Sequence, residues 1–110
     1  MNINNPLLIL TTVSSKEEGE RIASKLVDNK LAACVNILPQ MTSIYRWENI
    51  NHNEKEFLFT IKTAKYLEQE VYDYIRDSHS YEVPEIITLE ITNIDKKYSE
   101  WLNSSIRPME

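Results

Sequence analysis

Nitrogen and sulfur ligands are scarce in this sequence, so they are the first residues to consider as carriers of chemistry. Only His52, His79 and Cys34 carry an imidazole or a thiol, the side chains that, with carboxylates, bind divalent copper or zinc. No two of them have the spacing of an H-x-x-x-H or C-x-x-C site. One subunit can therefore supply one or two strong ligands plus carboxylates, and a high-affinity structural metal site is not expected.

Acid–base chemistry has few candidates as well. The titratable side chains that could act as acids or bases are Glu56 and three residues of the segment HSYEVPE, namely His79, Glu82 and Glu85. Catalysis of this kind needs such groups to converge in one pocket, and no nucleophile is paired with a base in the sequence. We predict that the protein is not an enzyme.

Structural roles compete with the chemical ones. His79 follows a predicted helix, where its imidazole could cap the exposed carbonyls instead of binding a ligand. Cys34 lies among small and apolar residues, which predicts a buried packing role. Glu56 falls on the polar face of a predicted strand and is expected to be solvated or paired with Lys62. Tyr45 and Trp47 alternate on one strand face, a pattern that favours an interface over a cofactor site.

Hydrophobic periodicity and capping signals define the elements that position these residues. Ser15 and Glu18 form a capping-box pattern at the start of the first helix, Pro39 interrupts the second strand, and Thr63 is expected to cap the second helix. The predicted order is a strand over 7–13, a helix to about 30, a strand over 32–48 broken at 39, a strand over 54–63, a helix to about 77, a strand over 87–92, and a short helix from about 95.

This βαββαβ order predicts an α+β, ferredoxin-like fold with two helices on one face of an antiparallel sheet and a short C-terminal helix. Residues 1–110 are expected to form a single domain. Such a sheet leaves its other face uncovered, and Leu8, Leu10 and Leu38 give that face apolar character. We therefore expect the sheet to self-associate.

Composition excludes several classes of function. The formal net charge is −5, which argues against binding of the nucleic-acid backbone. Gly19 is the only glycine, so a glycine-rich phosphate loop is excluded. The single cysteine cannot form an internal disulfide, and the apolar run near the N-terminus is too short for a signal peptide or a membrane span. These features predict a cytoplasmic protein.

Two segments resemble the CutA-type divalent-cation tolerance protein family in their residue types, their spacing and their order along the chain. They are KLAACVNILPQMTSIYRWE at 30–48 and HSYEVPE at 79–85. The resemblance extends from about Leu7 to about Ile106. It implies a homotrimer in which the second and third strands reach neighbouring subunits, with a non-enzymatic role in tolerance of divalent metals, copper among them. The copper ligands that it implies map to Thr11, Glu56 and His79. Because Thr11 replaces a cysteine, copper binding should be weak.

The resemblance also places Tyr45, Trp47, Lys62 and Tyr81 near a cleft between subunits, beside His79. An alternative function is therefore a PII-like signalling or interaction module that binds a small effector at these clefts. Two departures from the family pattern bear on this region. Ser80 replaces a proline and is expected to loosen the His79 loop, whereas Asn49 replaces a glycine and should preserve the turn.

Overall fold

The computed structural model describes residues 5–109 and contains five strands and three helices. The strands are β1 (Pro6–Val13), β2 (Cys34–Ile37), β3 (Met41–Trp47), β4 (Ile50–Ala64) and β5 (Ile86–Glu90). The helices are α1 (Lys16–Asp28), α2 (Glu68–Ser78) and α3 (Lys96–Ser105), with a short 3₁₀ turn, Lys65–Leu67, before α2. Within the described range no helix is both long and apolar enough to cross a membrane.

The strands pair antiparallel in the order β2-β4-β1-β5, and β3 pairs with β4 beyond the end of β2. Strand β4 is 15 residues long, and both β2 and β3 pair with it along the same edge. Its second half pairs with β1 and β2, whereas its first half, Ile50–Glu56, pairs with β3 to form a hairpin. The molecule is accordingly elongated, with dimensions of 49 × 25 × 22 Å.

The core lies between the sheet and the helices, because alternate residues of the central strands point to the same face. Phe59 and Ile61 are fully buried there, as their alternation predicts, although Phe57 is only half-buried. A Cβ atom at Gly19 of α1 would lie 2.8 Å from Cε1 of Phe59. The glycine therefore lets α1 approach the sheet closely. The other fully buried members of this core include Ile9, Val13, Ile22, Leu26, Val71, Ile75 and Leu102.

The hairpin turn is tighter than predicted. Trp47 pairs directly with Ile50, so the turn consists only of Glu48 and Asn49. Both have positive φ angles, 52° and 66°, which is the geometry of a type I′ turn. Asn49 thus preserves the turn as expected, but β4 begins at Ile50 and not at residue 54, because the two-residue turn returns the chain at once.

Two predictions about individual residues are wrong. Thr63 does not cap a helix; it is a buried residue of β4 whose hydroxyl donates to the carbonyl of Leu31 at 2.6 Å. Ala64 precedes the 3₁₀ turn in its place. Cys34 is half-buried, not fully buried, because it lies on an edge strand that pairs on one side with β4.

The sheet face opposite the helices is apolar and partly open. Leu10 pairs with Ile87 across β1 and β5, and Leu8 pairs with Leu89. Leu8 and Leu10 are half-buried, while Ile87 and Leu89 are 49% and 44% exposed. Contiguous exposed apolar residues of this kind mark an interaction surface. We call this set, Leu8, Leu10, Ile87 and Leu89, the open face.

Candidate functional site

A cleft with a volume of about 540 Å³ opens between the β3–β4 hairpin and the loop that follows α2. Because every second residue of a strand points to the same side, β3 presents Tyr45 and Trp47 to it together with Ser43, and Ile44 also lines it. The shared side of Tyr45 and Trp47 is as the sequence predicts. The other walls come from β4, from β1 and from the segment 79–85, and the principal residues there are Glu56, Thr12, Tyr81, Glu82 and Glu85.

Glu56 and Tyr81 form the deep wall of this cleft. The hydroxyl of Tyr81 donates to Oε2 of Glu56 at 2.7 Å, and Glu56 is only 5% exposed. The prediction of a solvated Glu56 is therefore wrong, because the loop carrying Tyr81 folds over that part of the strand. Burial, and secondarily the hydrogen bond to the Glu56 carboxylate, raise the pKa of the Tyr81 phenol well above its ordinary value of 10.0.

An alkaline titration should reveal this phenol as the last to ionise among the six tyrosines. A folded-state pKa above the unfolded one means that Tyr81 stabilises the fold below about pH 10, and that this contribution is lost as the pH rises through the folded value. Tyrosinate absorbance followed against pH should show a late step that disappears in Tyr81→Phe. The step should persist in Tyr45→Phe, and ionisation of all tyrosines together in the folded protein would contradict the assignment.

His79 connects the end of α2 to β1. Its side chain is fully buried, and its ring bonds through both nitrogens: Nδ1 accepts from the backbone N–H of Tyr81 at 3.0 Å, and Nε2 lies 2.6 Å from the carbonyl oxygen of Thr12. A neutral ring protonated on Nε2 satisfies both contacts. His79 does end α2, but its imidazole bonds to the carbonyl of β1 and not to the last carbonyls of the helix.

The loop around His79 is tightened by Ser80, contrary to the expectation that this residue loosens it. The backbone N–H of Ser80 donates to Oε2 of Glu18 at 2.7 Å, and its hydroxyl donates to Oε1 at 3.1 Å. Glu18 is 6% exposed. The backbone N–H of Glu18 donates to the Ser15 hydroxyl, which is one of the two hydrogen bonds of a capping box. The Glu18 carboxylate accepts from Ser80 in the loop instead of making the second one. Nothing in the local pattern indicates this contact, which spans 62 residues.

Thr11, Glu56 and His79 do not fit a copper centre as the chain is folded. Thr11 pairs with Phe59 in the register of β1 and β4, so Glu56, three residues further along β4, points to the opposite face of the sheet. Both nitrogens of His79 are already engaged. Across residues 5–109, no group of three or more His, Cys, Asp or Glu side chains is placed to hold a metal ion.

Thr11 instead carries an unsatisfied hydroxyl. The residue is fully buried, and its Oγ1 has no hydrogen-bond partner in the described part of the chain. We expect Thr11→Val to raise the free energy of unfolding by about 1 kcal/mol, because it removes a buried polar group at nearly constant shape. Thr63→Val is the matched control and should lower it by about 1–3 kcal/mol, since it leaves the Leu31 carbonyl unpaired. Denaturant unfolding at a fixed protein concentration measures both, and a destabilised Thr11→Val would contradict the assignment.

Lys62 is not among the residues that line the cleft in a single chain. Its Nζ lies 5.6 Å from the ring centroid of Tyr98, at cation–π distance. Tyr45, Trp47 and Tyr81 do come together, so three of the four predicted cleft residues meet within one subunit. That Lys62 joins them across a subunit boundary stays a prediction. Thr12 and Val83 also line the cleft, and neither had a sequence signal beyond its place in a strand or loop.

Comparisons with known proteins agree on one family. Residues 7–105 match the family model described as "CutA1 divalent ion tolerance protein". The "Divalent-cation tolerance protein CutA" of Thermus thermophilus is 39% identical over 98 residues, which cover 89% of this chain and 95% of that protein. The crystal structure of CutA1 from Oryza sativa has a TM-score of 0.92 and 39% identity, and the match covers 96% of each chain.

A chloroplastic relative is longer. The "Protein CutA, chloroplastic" of Arabidopsis thaliana is 41% identical over 101 residues, which are 92% of this chain but 56% of that protein. The chain thus spans a little over half the length of this relative. The family model, the sequence relatives and the similar crystal structure all belong to the same group of proteins.

Proposed function

Because this chain belongs to the CutA1 divalent ion tolerance protein family, we propose that it is a non-enzymatic homotrimer that binds a small effector in the cleft between its hairpin and residues 79–85. The family's role is tolerance of divalent cations. The cleft carries the proposal: it has the size of a small-molecule site, and it combines aromatic walls with the buried Glu56.

The trimer is supported by the open face. Its apolar residues require a partner, and a closed ring of identical chains covers such a surface without leaving a free edge. The strand order β2-β4-β1-β5 also supports a ferredoxin-like assignment, with β2 and β3 together taken as the second strand of a βαββαβ unit. In the trimer we expect the protruding hairpin to reach a neighbouring subunit.

An effector is favoured over a copper ion at this site because of the state of His79. Copper needs an imidazole nitrogen with a free lone pair, and in this fold each nitrogen of His79 already has a partner. Ligation by His79 would therefore break two buried hydrogen bonds. Weak binding of copper or another divalent ion at the clefts between subunits stays a prediction, as does a cytoplasmic location.

Native mass spectrometry after exposure to a mixed panel of divalent metals and cell metabolites tests the proposal. We expect the mass of three chains with a small organic adduct that is lost when Glu56 or Tyr81 is replaced. A single-chain mass at micromolar concentration would refute the trimer. A metal adduct that is unaffected by either replacement, with no organic adduct, would refute the effector site while leaving the trimer in place.

A further inference from the structure

The charge of the cleft points to the class of its ligand. Within one chain, three carboxylates line it, those of Glu56, Glu82 and Glu85, and the described residues of its wall include no lysine, arginine or histidine. Even with Lys62 of a neighbouring subunit at the cleft, as the resemblance implies, the three carboxylates outnumber that lysine. A cleft that carries one sign of charge between low-dielectric walls concentrates ions of the opposite sign. An anionic or neutral ligand would leave these carboxylates without compensation.

Glu56 makes the argument specific, because it is 95% buried and still faces the cleft. Its Oε2 accepts from the Tyr81 hydroxyl, but none of the ion pairs formed within residues 5–109 includes Glu56. A ligand that brings a positive charge and an N–H donor would give this carboxylate the countercharge that it lacks among the described residues.

The aromatic walls distinguish an organic cation from a metal ion. Tyr45 and Trp47 are 41% and 43% exposed, and both line the cleft together with Tyr81. Ring faces attract ammonium groups and pack against alkyl chains. The acidic groups of the described residues, in contrast, are not gathered closely enough to coordinate a metal. The cleft volume of about 540 Å³ also suits an extended ligand, not a bare ion.

We propose that the cleft binds a primary alkylammonium compound, with one ammonium group donating to Glu56 and the alkyl chain lying against Tyr45 and Trp47. A second ammonium group strengthens binding through Glu82 and Glu85 at the cleft. The inference rests on the proposed effector site and names the chemical class of its ligand. Short linear diamines are the members of that class that carry the second ammonium group.

Isothermal titration calorimetry with four-carbon ligands of graded charge tests the inference on the 110-residue chain. The probes are putrescine, n-butylamine, the four-carbon terminal diol and succinate. Affinity should fall in that order, and putrescine should bind about tenfold or more tightly than the diol, because charge-assisted hydrogen bonds are lost with the ammonium groups. In a Trp101→Phe background, the fluorescence of Trp47 should change on putrescine binding, which locates the ligand in the cleft.

Two isosteric variants separate the buried carboxylate from general charge. Glu56→Gln retains an acceptor for the Tyr81 hydroxyl and should weaken putrescine binding by about tenfold or more. Glu100→Gln changes the net charge equally, on an exposed position of α3 outside the cleft wall, and should weaken it less than about twofold. Equal losses in the two variants would overturn the inference, since only non-specific charge attraction would then be present.

The remaining outcomes distinguish this inference from the proposed function. If the diol or succinate binds at least as tightly as putrescine and changes the Trp47 fluorescence, the cleft is an effector site but not one for ammonium compounds. If no probe binds and the metabolite panel also yields no adduct, both the inference and the effector site are refuted.

Discussion

Replacing His79 with alanine should lower the free energy of unfolding by about 2–4 kcal/mol. The substitution removes a fully buried ring and leaves two backbone groups without their partners, the carbonyl of Thr12 and the N–H of Tyr81. It also separates the end of α2 from β1, so the loop that covers Glu56 should become more mobile. Chemical denaturation at one fixed protein concentration measures the effect, because stability of an oligomer depends on concentration.

Two further substitutions test each nitrogen of His79 separately. Asparagine can place an oxygen near the position of Nδ1 and so accept from Tyr81, whereas glutamine can place an N–H near that of Nε2 and donate to Thr12. Each should recover part of the stability lost in His79→Ala. His52→Ala is the control: this ring lies on the hairpin, stacked on Tyr45 at 5.1 Å, and its loss should cost about 1 kcal/mol or less.

Copper titration of the same variants separates the structural role of His79 from a ligand role. With both ring nitrogens engaged, the wild type should bind copper no more tightly than His79→Ala does. Cys34→Ser should behave like the wild type, since the half-buried thiol lies on β2 and outside the cleft wall. Saturable copper binding that is lost only in His79→Ala would show that the ring leaves its hydrogen bonds to bind metal.

Features encoded within a few residues were predictable from the sequence. Ser15 and Asp95 both accept from the N–H three residues later, as helix N-caps should. The alternation in β4 correctly placed Phe59 and Ile61 in the core, and that in β3 correctly placed Tyr45 and Trp47 on one side of the strand. A local pattern is enough to predict these positions, because successive side chains of a strand point to opposite faces and the apolar ones on one face are buried.

Features that depend on contacts between distant segments were not predictable. Glu56 is polar and lies on a strand face that the pattern marks as solvated, yet Tyr81, 25 residues further on, covers it. Glu18 has a local partner in a capping box, but Ser80 takes its carboxylate instead. Thr63 resembles a helix cap and bonds to Leu31. In each case a tertiary hydrogen bond replaced the contact with solvent or the local bond that the sequence suggests.

The second large effect is expected at the open face. Leu10→Glu should convert the proposed trimer to single chains, because it places a carboxylate beside Ile87 and Thr60 in the middle of the apolar surface. Burying an unpaired charge at an interface costs about 3 kcal/mol or more per subunit, and the ring symmetry repeats that cost in every subunit. The dissociation constant should rise by at least about a hundredfold.

Val27→Glu is the matched control, since Val27 is an apolar residue of α1, away from the open face, and is already 41% exposed. Light scattering coupled to size exclusion should give about 12.9 kDa for Leu10→Glu, the mass of one chain, and the trimer mass for the control. Far-ultraviolet circular dichroism should show that both variants retain their helices and strands, because Leu10 faces away from the helix-packed core. A folded Leu10→Glu trimer would mean that the subunits associate through another surface, and the hairpin would then be the remaining candidate for the interface.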